Sequence, residues 1–201
     1  MKRILVLIGL VLVVVPFLAC TESNLSQVQA QPATSATNSA NNHQITGSPS
    51  LTANFIDQVL ARAGSPAQGL GNQFIKLSLQ TGIDAAYVLA IFHHESAYGE
   101  TGVARGSRSP GNMRCLDLEH YGDTGTWCHC EQPGNCYAWF PSWSAGLVAT
   151  FRLLAGPLYA AGGYTTIERV IRRWAPPADN NDDSAYIGSI LQDVSGWRAS
   201  A

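Results

Sequence analysis

Apolar residues recur at helical spacing along most of the chain beyond residue 50. Between Leu51 and Ala63, the residues Phe55, Ile56, Val59 and Leu60 form one stripe, which predicts an amphipathic helix. Gly64 ends it. Ser65-Pro66 has the form of an N-cap followed by proline at the first helical position. A second helix is therefore predicted from there to about Gln80, with Gly82 as its stop. Asp84 reads as the cap of a third. In it Ala85, Ala86, Val88, Leu89, Ala90, Ile91 and Phe92 are apolar nearly all round. A helix without a polar face is a buried one, so this helix is expected at the centre of the fold. Further on, Ser142 or Ser144 opens a helix carrying Leu147, Val148, Phe151, Leu153 and Leu154, broken by Gly156-Pro157. Thr165-Thr166-Ile167-Glu168 has the capping-box form. It opens a helix through Val170, Ile171 and Trp174 that Pro176-Pro177 closes. Asp182 or Asp183 caps a last one through Tyr186, Ile187, Ile190, Leu191 and Val194. No long alternating pattern and no internal repeat occurs. The fold class is mainly α, with room for a small hairpin within residues 115–140.

The first fifty residues follow other rules. Met1-Lys2-Arg3 is a short basic start, and Ile4 to Ala19 is an uncharged, almost wholly apolar run. That is short for a membrane span, which needs about 20 residues, and right for the apolar core of a signal peptide. The run ends Phe17-Leu18-Ala19-Cys20. This resembles a bacterial lipobox, whose cysteine is lipidated, although an aliphatic residue is more common at the position of Phe17. A plain signal peptide or a retained anchor is the alternative, and each of these readings exports the chain. Residues 21–50 are dominated by Ser, Thr, Asn and Gln, with Glu22 as their one charge and no aromatic. Such a segment buries too little apolar area to offset its ordering entropy. The expected organisation is thus a signal peptide over 1–20, a flexible tether over 21–50 and one domain over 51–201.

Composition narrows the function classes. Charged residues make up 13% of the chain and its formal charge is −2. No basic patch appears, so nucleic acid is not an expected partner. Beyond Cys20, four cysteines remain, Cys115, Cys128, Cys130 and Cys136. In an exported chain disulfides are the default. Four cysteines allow three pairings, but Cys128 and Cys130 are too close to bridge each other readily, so each is expected to pair with Cys115 or Cys136. The competing reading is a zinc site made by the four thiolates or by His120 or His129. Its spacing lacks paired CxxC knuckles, and neither metal nor cofactor is expected.

The stretch Ile91-Phe92-His93-His94-Glu95-Ser96-Ala97-Tyr98-Gly99 places a carboxylate at the C-terminal end of the most apolar helix. The helix dipole is negative there, and apolar neighbours desolvate the ion. Both effects raise its pKa, as a general acid needs near neutral pH. A packed, hydrogen-bonded glutamate beside Gly99 is the bland alternative. His93 and His94 adjoin it, but successive helical residues point to different sides, and neither is expected to bind metal.

Four segments together carry a resemblance. Ala90 to Gly99, with His-Glu-Ser-x-x-Gly, is similar to the catalytic helix of the lysozyme superfamily. Ser109-Pro110-Gly111-Asn112-Met113-Arg114, Trp139 through Gly146, and Trp174-Ala175-Pro176-Pro177-Ala178-Asp179-Asn180-Asn181-Asp182 with Tyr186-Ile187 resemble three further elements of bacterial glucosaminidase domains. In that order they cover about residues 51–197. The chain resembles the endo-β-N-acetylglucosaminidase-like group that includes flagellar-type muramidases. The resemblance implies a lysozyme-like helical fold, peptidoglycan glycan strands as substrate, and Glu95 as general acid. The Gly-Leu-Met-Gln loop of related lytic transglycosylases is absent, which favours hydrolysis. The cysteine-rich insert 115–136 is outside the family pattern.

Cutting a β-glycosidic bond usually takes two carboxyl groups. The superfamily often supplies the second from the region of the insert, which holds Asp117, Glu119 and Asp123. These are the candidates, with solvated loop charges as the alternative. The N-acetyl group of the substrate can instead act as nucleophile. Tyr98, Asn112, Trp139, Tyr164, Asn180 and Tyr186 are the candidates for holding sugar rings. Trp139, Trp143, Trp174 and Trp197 are read first as core, and Asp179, Asn180 and Asp182 as caps of the last helix. A monomer facing the cell wall is expected, held to the membrane through Cys20. Lytic transglycosylase, N-acetylmuramidase and a non-catalytic wall-binding lipoprotein are the alternatives.

Overall fold

The computed structural model describes residues 43–115, 118–177 and 181–201. The expected signal peptide, Cys20, most of the tether, Asp117 and Asn180 lie outside the described residues. Seven α-helices and one two-stranded hairpin make up the described part: α1 (Ala53–Arg62), α2 (Gly71–Thr81), α3 (Ala85–Ser96), α4 (Ala104–Ser107), β1 (Trp127–Gln132), β2 (Asn135–Trp139), α5 (Trp143–Ala155), α6 (Ile167–Trp174) and α7 (Asp183–Arg198). The domain is mainly helical, as its sequence pattern predicts.

The central position expected for α3 is observed. Every residue from Ala85 to Phe92 is buried. The Asp84 carboxylate caps the helix by accepting from Ala86 N–H at 3.0 Å. Asp84 is itself buried and also accepts from Ser50 N–H at 2.9 Å and from the Arg198 guanidinium at 2.9 Å. The end of α7 is thereby tied to the start of α3, the helix it packs along. Ser142, rather than Ser144, caps α5, and Asp182, rather than Asp183, caps α7.

Three local expectations need correction. The segment Ser65-Pro66 does not start a helix. The Ser65 hydroxyl is buried, donating to Tyr98 O at 2.7 Å and accepting from Ala67 N–H at 3.0 Å. This makes a turn, and α2 begins only at Gly71, whose N–H donates to the Asp57 carboxylate of α1 at 2.7 Å. A Cβ at Gly71 would lie 2.1 Å from Ala53 O, so glycine lets α2 start hard against α1. The capping box at α6 is displaced by one residue. Thr166 is the N-cap and makes no side-chain cap bond, while Glu168 reaches His43. The tether also ends earlier than residue 50. Ile45 is buried in the core, its N–H donates to Thr165 O at 2.8 Å, and its carbonyl accepts from Asp84 N–H at 2.8 Å. A Ser/Thr-rich composition hid this one apolar anchor.

The hairpin is antiparallel, with Trp127 opposite Trp139, Cys128 opposite Ala138, His129 opposite Tyr137 and Cys130 opposite Cys136. Disulfides join Cys115 to Cys128 and Cys130 to Cys136. This agrees with the expectation for Cys128 and Cys130, and it leaves none of these four sulfurs as a zinc ligand. Backbone bonds from Ala138 N–H to Met113 O at 2.9 Å and from Cys115 N–H to Cys136 O at 3.0 Å dock β2 on the loop after α4.

Candidate functional site

Glu95 occupies the last turn of α3, where the unpaired carbonyls of the helix concentrate negative potential. The backbone then turns sharply. Ala97 and Tyr98 both take left-handed conformations, with φ of 46° and 59°, ahead of Gly99 at 90°. Non-glycine residues there cost on the order of 1–2 kcal/mol each. Ser96 stabilises the turn: its buried hydroxyl donates to Phe92 O at 3.2 Å and accepts from Gly99 N–H at 2.9 Å. Gly99 lies against the Trp143 ring, where a Cβ would come within 2.5 Å. These contacts explain physically why Ser and Gly stand where they do after Glu95.

The carboxyl group is met by donors from three other parts of the chain. The Tyr186 hydroxyl on α7 donates to Oε1 at 2.5 Å, and the Trp174 indole N–H at the end of α6 donates to the same oxygen at 3.0 Å. The Asn112 amide donates to Oε2 at 3.1 Å and to Glu95 backbone O at 2.8 Å. Asn112 holds a left-handed φ of 46°, which asparagine tolerates better than most residues. The Ser109 hydroxyl closes this loop by accepting from Met113 N–H at 2.9 Å. Gly111 lets the Trp174 ring descend onto it, since a Cβ there would lie 2.3 Å from the indole.

Two opposing effects set the protonation of Glu95. Desolvation by the protein packed around it pushes the carboxyl above its ordinary value, and the bonds from Tyr186, Asn112 and Trp174 draw it back only in part. Burial is also the first reason that the Tyr186 phenol is raised well above its usual range, with the charge of Glu95 adding to it. The phenol therefore stays a donor. Because Oε1 already accepts from two groups that keep their protons, a proton bound by Glu95 belongs on Oε2. Glu95 retains partial solvent exposure, so a proton there has a path outward.

The two histidines contact different rings, and neither is buried. The exposed His94 ring stacks on Tyr186 with centroids 3.6 Å apart. Burial, then the neighbouring His93, lowers its pKa. His93 stacks on Tyr98 at 4.6 Å and bonds the Asp193 carboxylate of α7 at 2.6 Å.

Among the expected sugar-binding residues, Asn112 and Tyr186 meet at Glu95, but both contact the carboxyl itself. Tyr98 does not offer an open ring. It is 7% exposed and packs between Phe92 and His93. Tyr164 lies beside Arg173, accepting from its guanidinium at 3.2 Å, and makes no hydrogen bond to Glu95. Trp139 belongs to the hairpin, close over Gly106. Of the expected second acids, Glu119 and Asp123 are exposed on and after the 3-10 turn Leu118–Tyr121. Neither makes a hydrogen bond to the residues around Glu95. Trp174, expected in the core, is instead a residue of this site. The signal for it was Gly111 in the asparagine loop, where the absence of a side chain needs a partner to explain it.

Among the described residues, no group of three or more His, Cys, Asp or Glu side chains is placed to hold a metal ion. No family model matches the chain, and no curated protein is significantly similar to it.

Proposed function

We propose that this chain is an exported glycoside hydrolase that cuts β-1,4 bonds of peptidoglycan. In this reading it acts as an endo-β-N-acetylglucosaminidase with Glu95 as general acid and then base. One observation carries the proposal. A carboxyl group sits at the wrong end of a buried helix, raised in pKa by desolvation, and is oriented by three donors from separate elements. A structural glutamate gains nothing from such a setting, because burial of a charge is costly. A general acid requires it. The resemblance of the segments around Glu95, Asn112 and Trp174 to glucosaminidase domains supports the same chemistry.

In the reaction, Oε2 protonates the glycosidic oxygen as the bond from that oxygen to the anomeric carbon breaks, and the leaving sugar departs with the proton. The acetamido oxygen of the substrate attacks the anomeric carbon and closes an oxazolinium ring. Water then adds at that carbon, gives a proton to Glu95 and reopens the ring, so configuration is retained. Among the described candidates, neither Glu119 nor Asp123 makes a hydrogen bond to the residues around Glu95, which supports this route. Export through the segment 1–20, with a lipid on Cys20 and the polar tether behind it, would place the domain at the cell wall.

The test is digestion of purified peptidoglycan by the oxidised full chain, followed by mass spectrometry of the product ends. Reducing N-acetylglucosamine ends are expected. Reducing N-acetylmuramic ends would make it a muramidase, and anhydro ends a transglycosylase. No release from several wall types would replace catalysis by binding.

A further inference from the structure

The hairpin has two unlike faces. Strand pleating puts Trp127, His129, Tyr137 and Trp139 on one side and Cys128, Cys130, Cys136 and Ala138 on the other. The second face is tied down, through the bond of Cys128 to Cys115 and the burial of Ala138. The first is the more open at its β1 edge: Trp127 is 42% exposed and His129 is exposed, while Tyr137 and Trp139 opposite them are half-buried. The Trp127 ring lies 6.2 Å from that of Trp139, which lies 4.7 Å from His129. Next along the same face, Arg114 covers the Tyr137 ring at 4.8 Å and donates to Asn135 at 2.6 Å. Two disulfides thus hold a short ribbon of aromatic rings, edged by groups that form hydrogen bonds, outside the core. A cluster of aromatics with one exposed ring and half-buried neighbours, rimmed by polar groups, fits a ligand surface.

We propose that this outer face of the hairpin is a glycan platform, on which a strand of β-1,4-linked N-acetylhexosamines lays the apolar faces of its rings against Trp127 and Trp139. The inference rests on the glycosidase reading for its substrate class. The tip of the hairpin, Glu131-Gln132-Pro133-Gly134-Asn135, is polar. The rings stand nearer the base, so the ribbon is not shaped to insert into lipid. An uncharged, amphipathic ligand suits a surface that mixes rings with an imidazole, an amide and a guanidinium. The platform is also continuous with the candidate site. The bond from Ala138 to Met113 joins β2 to the loop whose Asn112 bonds Glu95. A strand gripped there would be held by covalently fixed structure while Glu95 acts on it nearby.

The test uses the oxidised full chain carrying Glu95→Gln, titrated calorimetrically with a soluble β-1,4-linked N-acetylglucosamine pentamer. Trp127→Ala is expected to weaken binding about fivefold, and Trp127→Tyr to restore most of it. His129→Ala is expected to weaken it less. Both residues are exposed, so neither change empties the core, and thiol titration checks that the two disulfides persist. Unchanged affinity in Trp127→Ala with intact disulfides would overturn the platform. So would loss of self-association or of vesicle binding in that variant while the pentamer still binds as before. Pentamer binding that depends on Trp127, in a chain whose parent never cuts peptidoglycan, would keep the platform and remove the glycosidase. Cutting by the parent with no dependence on Trp127 would do the reverse.

Discussion

Glu95 and the hairpin hold their functional groups in place by opposite means. Around Glu95, the backbone is fixed by a buried helix, and the carboxyl is fixed by Tyr186, Trp174 and Asn112, each brought from a different part of the chain. The site needs no covalent tie because the core orders it. The hairpin contributes Ala138 to the core but is otherwise exposed or half-buried, and it relies on two disulfides. The difference teaches that a group which must be desolvated is built from packing. A surface that must stay open cannot be, and is stapled instead.

The largest expected effect is on the carboxyl. Glu95→Gln should lower glycan cleavage by at least about a hundredfold, measured by release of soluble fragments. The same change should not lower stability at neutral pH. The carboxyl of Glu95 is raised in the folded state, so the folded protein binds its proton more tightly than the unfolded chain does. The stability linked to that proton is fully present below the unfolded value, about pH 4, and is lost as pH rises through the folded value. Thermal unfolding of Glu95→Gln should therefore match or exceed that of the parent at pH 7, with the gap closing towards about pH 4.

Next come the donors. Each draws the pKa of Glu95 down, Tyr186 most, then Asn112, then Trp174. Removing one raises the pKa of the acid. The alkaline limb of kcat/KM should move to higher pH in Tyr186→Phe, less in Asn112→Ala and least in Trp174→Phe. Loss of a bond to a charged group costs about 1.5–3 kcal/mol, so a tenfold or greater fall in activity should accompany Tyr186→Phe. A shift to lower pH would mean that Tyr186 does not act on the ionised form.

Reduction sharpens the contrast from the other side. Cys115 and Cys128 are 13 residues apart, and Cys130 and Cys136 are 6 apart. Closing a loop of about 15 residues is worth about 3 kcal/mol. Because α3 is buried along its length and capped by Asp84 rather than by the hairpin, reductant should free the hairpin's amides to exchange while the amides of α3 stay protected. Global unfolding on reduction would contradict the separation of the two regions. The smallest effect is expected at His43, whose contact with Glu168 is partly exposed. His43→Ala should cost less than about 1 kcal/mol in denaturant unfolding. Burial opposes the ionisation of Glu168, but bonds from its own backbone N–H and from His43 outweigh it and leave the pKa lowered. That contribution is present above the unfolded value and lost as pH falls through the folded one.

The same division governs how much the sequence disclosed. Periodicity and capping located α1, α3, α5, α6 and α7 because each buries a stripe or has a side chain at its cap. The start of α2 escaped because its N-terminus is satisfied by Asp57 from another helix, which no local pattern reveals. Glu95 was legible as an expensive carboxylate in an apolar helix. The pattern marks Asn112 and Tyr186 as polar site residues but not as partners of the carboxyl, since sequence does not give the direction of a side chain. It gives Trp174 no sign of its role, because indoles most often pack in cores. Ile45 was lost in a polar tract whose average composition outweighed one residue.

Peptidoglycan solubilisation by the oxidised full chain and by its Glu95→Gln variant, side by side near pH 6, tests the central claim most directly. Soluble glycan fragments with new reducing ends are expected from the parent and almost none from the variant, with both proteins equally folded. Equal release by the two would contradict that claim and move the chemistry away from Glu95.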